Sequence, residues 1–178
     1  MRWFILTFAL IRAKFRSKIN ANETTSVFFR VWITDIDVSV MNHASILTAM
    51  ETGRIDFMVR INFFKTAIKN KWFFPSQALT VQYYKPLKMF QKAELLTRLS
   101  YVDEKWFYIE QKIIRNGRDI AAGLVKSTIK KGRKTVPTSE ILNMLNVKEV
   151  PRKKSKLIEV YEMENDQFNI ELIDKWKY

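Results

Sequence analysis

The sequence predicts an α+β domain, an antiparallel sheet carrying one helix on its face, and three observations lead there. A strand and a loop precede a long helical pattern. Three or four strands then follow with no helix between them, so they pair antiparallel rather than through parallel crossovers. A chain of 178 residues with 47% hydrophobic and 13% aromatic content can bury one core of this kind.

Residues 1–11 form an apolar run, far short of the about 20 residues needed to cross a bilayer. Arg12, Lys14, Arg16 and Lys18 follow it, where a secretory signal would carry a small-residue cleavage site. This pattern suits a helix in the interface of an anionic membrane, or one packed on its own domain or a partner subunit. Residues 27–33 are β-branched and aromatic and read as the first strand, and 35–41 as a loop. From 44 to 68 the apolar positions Ile46, Met50, Gly53, Phe57, Ile61, Phe64 and Ile68 recur every three or four residues, which predicts one long helix. Strands are expected at 78–84 (closed by Lys85-Pro86), 94–102, 106–115 and 119–130, with Asn116-Gly117 as a tight turn. Residues 137–145 suit a short helix, and 151–178 mix basic with acidic runs and take no assignment. The expected organisation is an apolar-basic segment (1–24), one domain (25–146) and a C-terminal extension (147–178).

The net charge of +13 attracts polyanions, whether nucleic acid, anionic head groups or a phosphorylated ligand. The absence of an RNP, zinc-finger or phosphate-loop motif argues against nucleic acid. With no cysteine and one histidine, neither a disulfide framework nor a thiolate metal site is available, and no metal or cofactor is expected. That composition fits a cytoplasmic protein, peripheral at a membrane if residues 1–18 bind one.

The chain's only histidine, a glycine inside the helix, two aspartates and an arginine gather in DIDVSVMNHASILTAMETGR, residues 35–54. Gly53 costs about 1 kcal/mol against alanine in a helix. Its place in the apolar stripe predicts a close approach of helix to sheet.

Asp35-x-Asp37, then Met41-Asn42-His43-Ala44 entering the helix, then Met50-Glu51-Thr52-Gly53-Arg54 resemble the hot-dog thioesterases, most closely their 4-hydroxybenzoyl-CoA thioesterase-like branch. Glu104 to Glu110, with Asn116-Gly117 beyond, is similar to strands of the same group, so the resemblance covers about residues 28–145. It implies a strongly curved sheet around a central helix and hydrolysis of an acyl thioester of coenzyme A or acyl carrier protein. It also implies a homodimer with sites between subunits. The sequence departs from the pattern at Val40, where relatives often have histidine, and places His43 where they have a second asparagine. Because hot-dog domains also serve without catalysis, the alternative is an acyl-binding or membrane-surface module.

Thioester hydrolysis needs a carboxylate that attacks the carbonyl or activates water, and donors aimed at the developing oxyanion. The resemblance assigns the carboxylate to Asp37, which could otherwise cap a turn or the helix start. First-turn amides around His43, Ala44 and Ser45 would polarise the carbonyl, each well-placed donor being worth about 2.7–4 kcal/mol. Glu51 is the second candidate base. Asn42 either caps the helix or orients the thioester, and His43 is either a buried hydrogen-bonding residue or a substrate contact. Arg54 falls within about 60° of Met50 and Phe57 on the helical wheel. It should therefore be partly buried and either pair with Glu51 or a loop aspartate or touch substrate. Asp35 should order the loop or pair with Arg54. Phe57, Phe63, Phe64, Trp72 and Phe73 line a pocket or form plain core.

Overall fold

Five strands form one antiparallel sheet in the computed structural model, which describes residues 2–175. Residues 1 and 176–178, the ends of the expected N-terminal segment and C-terminal extension, lie outside the described residues. In chain order the elements are α1 (Arg2–Lys14), β1 (Thr25–Arg30), a 3-10 turn (Ile33–Asp35), β2 (Ile36–Asp37), β3 (Val40–Met41), α2 (His43–Arg60), α3 (Phe63–Asn70), β4 (Trp72–Phe73), β5 (Ser76–Tyr83), β6 (Lys92–Val102), β7 (Phe107–Arg115), β8 (Arg118–Ser127), β9 (Lys130–Lys131), β10 (Lys134–Thr135), α4 (Thr138–Met144) and α5 (Lys156–Lys175).

The sheet runs β1-β6-β7-β8-β5, and α2 carries the chain from one edge strand to the other. Alternation along the strands sends one set of side chains toward α2. Leu95, Ile113 and Ala121 pack on Met50, and further along Leu99, Ile109 and Val125 pack on Phe57. The opposite set includes Tyr108 and Leu124, which are covered by Ile158 and Tyr161 of α5. The unassigned tail is thus a helix that closes part of the outer sheet face.

Gly53 lies at a close approach of the helix to the sheet, as its position in the stripe predicted. A Cβ there would meet Leu95 Cδ2 at 2.5 Å, Thr97 Oγ1 at 2.7 Å and Gln111 Nε2 at 3.1 Å. The Asn116-Gly117 turn also forms as expected, with φ of 51° and 69°, which suits the two-residue hairpin between β7 and β8.

Three expectations change. The helix predicted over 44–68 is two, because Asn62 takes a left-handed φ of 64° between α2 and α3, a conformation asparagine tolerates and periodicity does not register. The loop at 35–41 is a 3-10 turn followed by the two-residue hairpin β2–β3. The last long strand ends at Ser127, and Lys130–Lys131 instead join β10 and β4 in a small second sheet.

The N-terminal helix has two different sides. Ala9 and Ala13 are buried, and the helix lies against α2, small residues allowing the approach. Phe4, Phe8, Ile11 and, just past the helix end, Phe15 point away and are 80%, 67%, 49% and 88% exposed. Arg16 and Lys18 tie the segment down: Arg16 Nη1 holds both oxygens of fully buried Asp56 at 2.9 and 2.8 Å, and Lys18 Nζ donates to the Val59 carbonyl at 3.0 Å.

Candidate active site

The hairpin that carries Asp37 is held on both sides. Asp35 accepts a hydrogen bond from the Trp32 amide at 2.9 Å and its carbonyl accepts one from the Asn42 amide at 2.8 Å, so Asp35 orders the loop. The Met41 amide donates to the Leu87 carbonyl at 2.7 Å, and Val40 bridges to Lys88. At the tip, Val38 is fully exposed with φ of 57°, a left-handed conformation that costs a β-branched residue of order 1–3 kcal/mol. The pinned ends of the hairpin maintain this strained turn. Asp37 is exposed and pairs in register with Val40.

Asn42 caps α2. Its Oδ1 accepts from the Ser45 amide at 2.8 Å while its carbonyl starts the helical ladder with Ile46. The His43 and Ala44 amides are first-turn donors without a helical acceptor, at the positive end of the helix dipole. His43 itself is exposed, so of its two expected readings the buried hydrogen-bonded ring does not form and a substrate contact remains open. It stacks on Tyr83 of β5 with ring centroids 4.5 Å apart and planes at 24°. As the first residue of α2 it meets the edge strand β5 through Tyr83 and stays exposed.

Glu51 and Arg54 belong to a different part of the helix. Eight residues beyond His43, Glu51 lies about 12 Å along the axis from the helix start. Both line a cavity of about 220 Å³ walled by apolar side chains such as Phe57, Phe64, Phe107, Ile109 and Leu142, with Ser76, Ser127 and Thr128 as its other polar members. Of the five aromatics considered, Phe57, Phe63 and Phe64 line this space, Trp72 is buried core and Phe73 is exposed.

Arg54 is partly buried, as its wheel position required. Its Nη1 donates to Gln111 Oε1 at 2.6 Å, while Gln111 Nε2 donates to the Met50 carbonyl at 2.7 Å and Thr97 Oγ1 at 3.0 Å. Buried Gln111 therefore fixes the arginine against the helix, a role the sequence reading did not assign. The signal was there: alternation with Ile109 and Ile113 turns residue 111 inward, and a polar side chain at an inward position needs partners. Among the described residues there is no cluster of three or more histidines, cysteines or acids that could hold a metal ion.

Residues 31–149 match the family model of the thioesterase-like superfamily. The chain belongs to that superfamily. Solved structures with the same fold include a probable thioesterase from Bartonella henselae, 20% identical with a TM-score of 0.59 over 65% of this chain and 98% of that one. The probable thioesterase YbaW from Escherichia coli is 18% identical with a TM-score of 0.63 over 68% and 95%. A 1,4-dihydroxy-2-naphthoyl-CoA thioesterase from Synechocystis is 12% identical with a TM-score of 0.61 over 69% and 95%. No match was found among the curated proteins. Membership of the thioesterase-like superfamily, on a hot-dog fold, makes the chain a thioester hydrolase. No described helix is long and apolar enough to cross a membrane.

Proposed function

We propose that the chain hydrolyses acyl-CoA thioesters to free acid and CoA, with Asp37 as the carboxylate that attacks the carbonyl or takes a proton from the attacking water. The observation that carries this reading is the β2–β3 hairpin, which holds Asp37 just ahead of a helix whose His43 and Ala44 amides lack helical acceptors. The thioester oxygen accepts from those amides, water adds to the carbonyl carbon, the C–S bond breaks and the CoA thiolate takes up the proton. Asn42, by spending its side chain on Ser45, leaves the two amides to the substrate. The acyl group extends along α2 into the cavity that begins at Glu51 and Arg54. A cavity of about 150 Å³ accommodates benzene, so 220 Å³ suits a substituted ring or a medium aliphatic chain. Glu51 is the alternative base.

In this reading the protein is a homodimer, since β1 and β5 are open sheet edges that a second subunit could protect while completing the site. The division into 1–24, 25–146 and 147–178 and a cytoplasmic location belong to the same proposal. The exposed stripe of α1 favours one addition: peripheral attachment to an anionic membrane through residues 1–18, with Phe4, Phe8, Ile11 and Phe15 in the lipid and exposed Lys14 at the head groups. A turnover screen over acyl-CoAs of graded chain length, with an acyl carrier protein thioester as comparison, tests the activity. Absence of hydrolysis across that panel would overturn it. Sedimentation finding only monomer at micromolar concentration would count against the shared site.

A further inference from the structure

Beyond the catalytic hairpin, the loop after β5 and the turn between β7 and β8 wall a cleft of about 440 Å³. Its charged side chains are Lys85, Lys88, Arg115 and Arg118, and no carboxylate lines it. Asp119, next in sequence to Arg118, is held outside by Lys112 at 2.9 Å. Among the described residues none of the four cations is ion-paired, whereas Arg16, Arg60, Arg98, Lys112, Lys126 and Lys154 all are.

The cleft is built rather than incidental. Arg115 and Arg118 occupy directly opposite positions at the end of the β7–β8 ladder, fixed there by the tight Asn116-Gly117 turn. Like charges so placed repel, and an anion between them removes that repulsion. On the other wall the Lys85 and Tyr84 amides both donate to the Ile120 carbonyl, at 3.2 and 2.8 Å, which fixes the loop beside β8. The loop also reaches the catalytic hairpin, because Lys88 bridges to Val40 and Val40 pairs with Asp37. At a strand spacing of about 4.8 Å, the Lys88 backbone lies about 10 Å from that of Asp37.

We propose that this cleft binds the phosphates of the nucleotide end of CoA, a 3′-phosphorylated adenosine diphosphate, while the thioester lies at Asp37. The proposal rests on the acyl-CoA reading of the site. The two guanidinium groups present forked donors that match phosphate oxygens, and the lysines act as point charges. The pantetheine arm of CoA crosses the Lys88–Val40 bridge to join the two ends.

Calorimetry on the full chain with free CoA, dephospho-CoA and pantetheine, for the native protein and for Arg115→Gln/Arg118→Gln, reads the cleft without requiring turnover. CoA should bind at least about tenfold tighter than pantetheine and more tightly than dephospho-CoA, and the double variant should lose at least about tenfold in CoA affinity while keeping its melting temperature. In kinetics, the ratio of kcat/KM for CoA over pantetheine thioesters of one acyl group should fall in the variant, through KM rather than kcat. CoA binding without hydrolysis of any thioester would support the cleft and remove the catalytic reading. Equal affinity for CoA and pantetheine, undiminished CoA binding by the double variant, or tighter binding of a single-stranded RNA oligonucleotide than of CoA would overturn the proposal.

Discussion

Gly53 stands against Leu95 with no room for a methyl group: a Cβ on the glycine would lie 2.5 Å from Leu95 Cδ2. Leu95 is fully buried in the middle strand pair, so it cannot swing aside without disturbing Met50 and Ile113. The contact sets the distance between central helix and sheet, and with it the position of Arg54 one residue on.

Gly53→Ala would gain about 1 kcal/mol of helix propensity, but overpacking a close-packed core costs about 1–3 kcal/mol. With a gap below 3 Å the second effect should win. Urea denaturation should show a net loss of up to about 2 kcal/mol, and a more stable variant would mean the helix sits farther from the sheet.

Asp37→Asn keeps the size of the side chain and removes its charge. Turnover of acyl-CoA should fall by about 100- to 10,000-fold with the fold intact. Glu51→Gln should cost less, and the opposite order would move the catalytic assignment to Glu51. His43→Ala removes only a stack on Tyr83, so its effect on kcat should be small beside that of Asp37→Asn.

Asp56 is fully buried between Arg16 at 2.8 Å and Arg60 at 3.7 Å. Asp56→Ala leaves the buried Arg60 without its counter-charge, and breaking such a pair costs about 3–5 kcal/mol. The loss should appear in equilibrium unfolding, together with faster proteolysis of the N-terminal segment that Arg16 anchors.

The docking of α5 should be acid-sensitive. Burial alone would push the Glu162 carboxyl up, but hydrogen bonds from Lys154 and Tyr108 and the charges of Lys154 and Lys126 hold it below its ordinary 4.5. A lowered folded value means the stabilisation is complete above about pH 4.5 and is lost as pH falls through the folded value. Melting temperature should therefore drop more steeply on acidification in the native protein than in Glu162→Gln, which should already melt lower at neutral pH. Parallel acid limbs would disprove the linkage.

Replacing Phe4, Phe8 and Phe15 with serine tests the membrane reading better than deleting residues 1–18, which would strip Asp56 of Arg16. The triple variant should lose co-sedimentation with anionic vesicles and retain its melting temperature, since all three side chains are exposed. Unchanged co-sedimentation, or dissociation of an oligomer instead, would refute lipid as the occupant of that face.

Much of the site was legible locally. Asn42 before a helical run is a cap, and Gly53 in an apolar stripe marks close approach; each needs only the residues within a turn or two. Which of the two readings of His43 holds was not legible because the burial of a side chain at a helix start depends on tertiary packing, and Glu51 and Asp37 could not be separated because their distance follows from how the hairpin meets the helix.

The sequence by itself determined the α+β order, the hairpin at Asn116-Gly117 and the start of the central helix at Asn42, since propensity, turn chemistry and periodicity act between residues a few positions apart. Tertiary structure alone decided the rest: Arg54 meets Gln111 across 57 positions and Arg16 meets Asp56 across 40. Lys88 likewise reaches the hairpin through Val40, and Arg115 and Arg118 join it in one cleft. A strand pairing brings such residues together by register, and register is set by the burial of whole faces rather than by any neighbour in the chain.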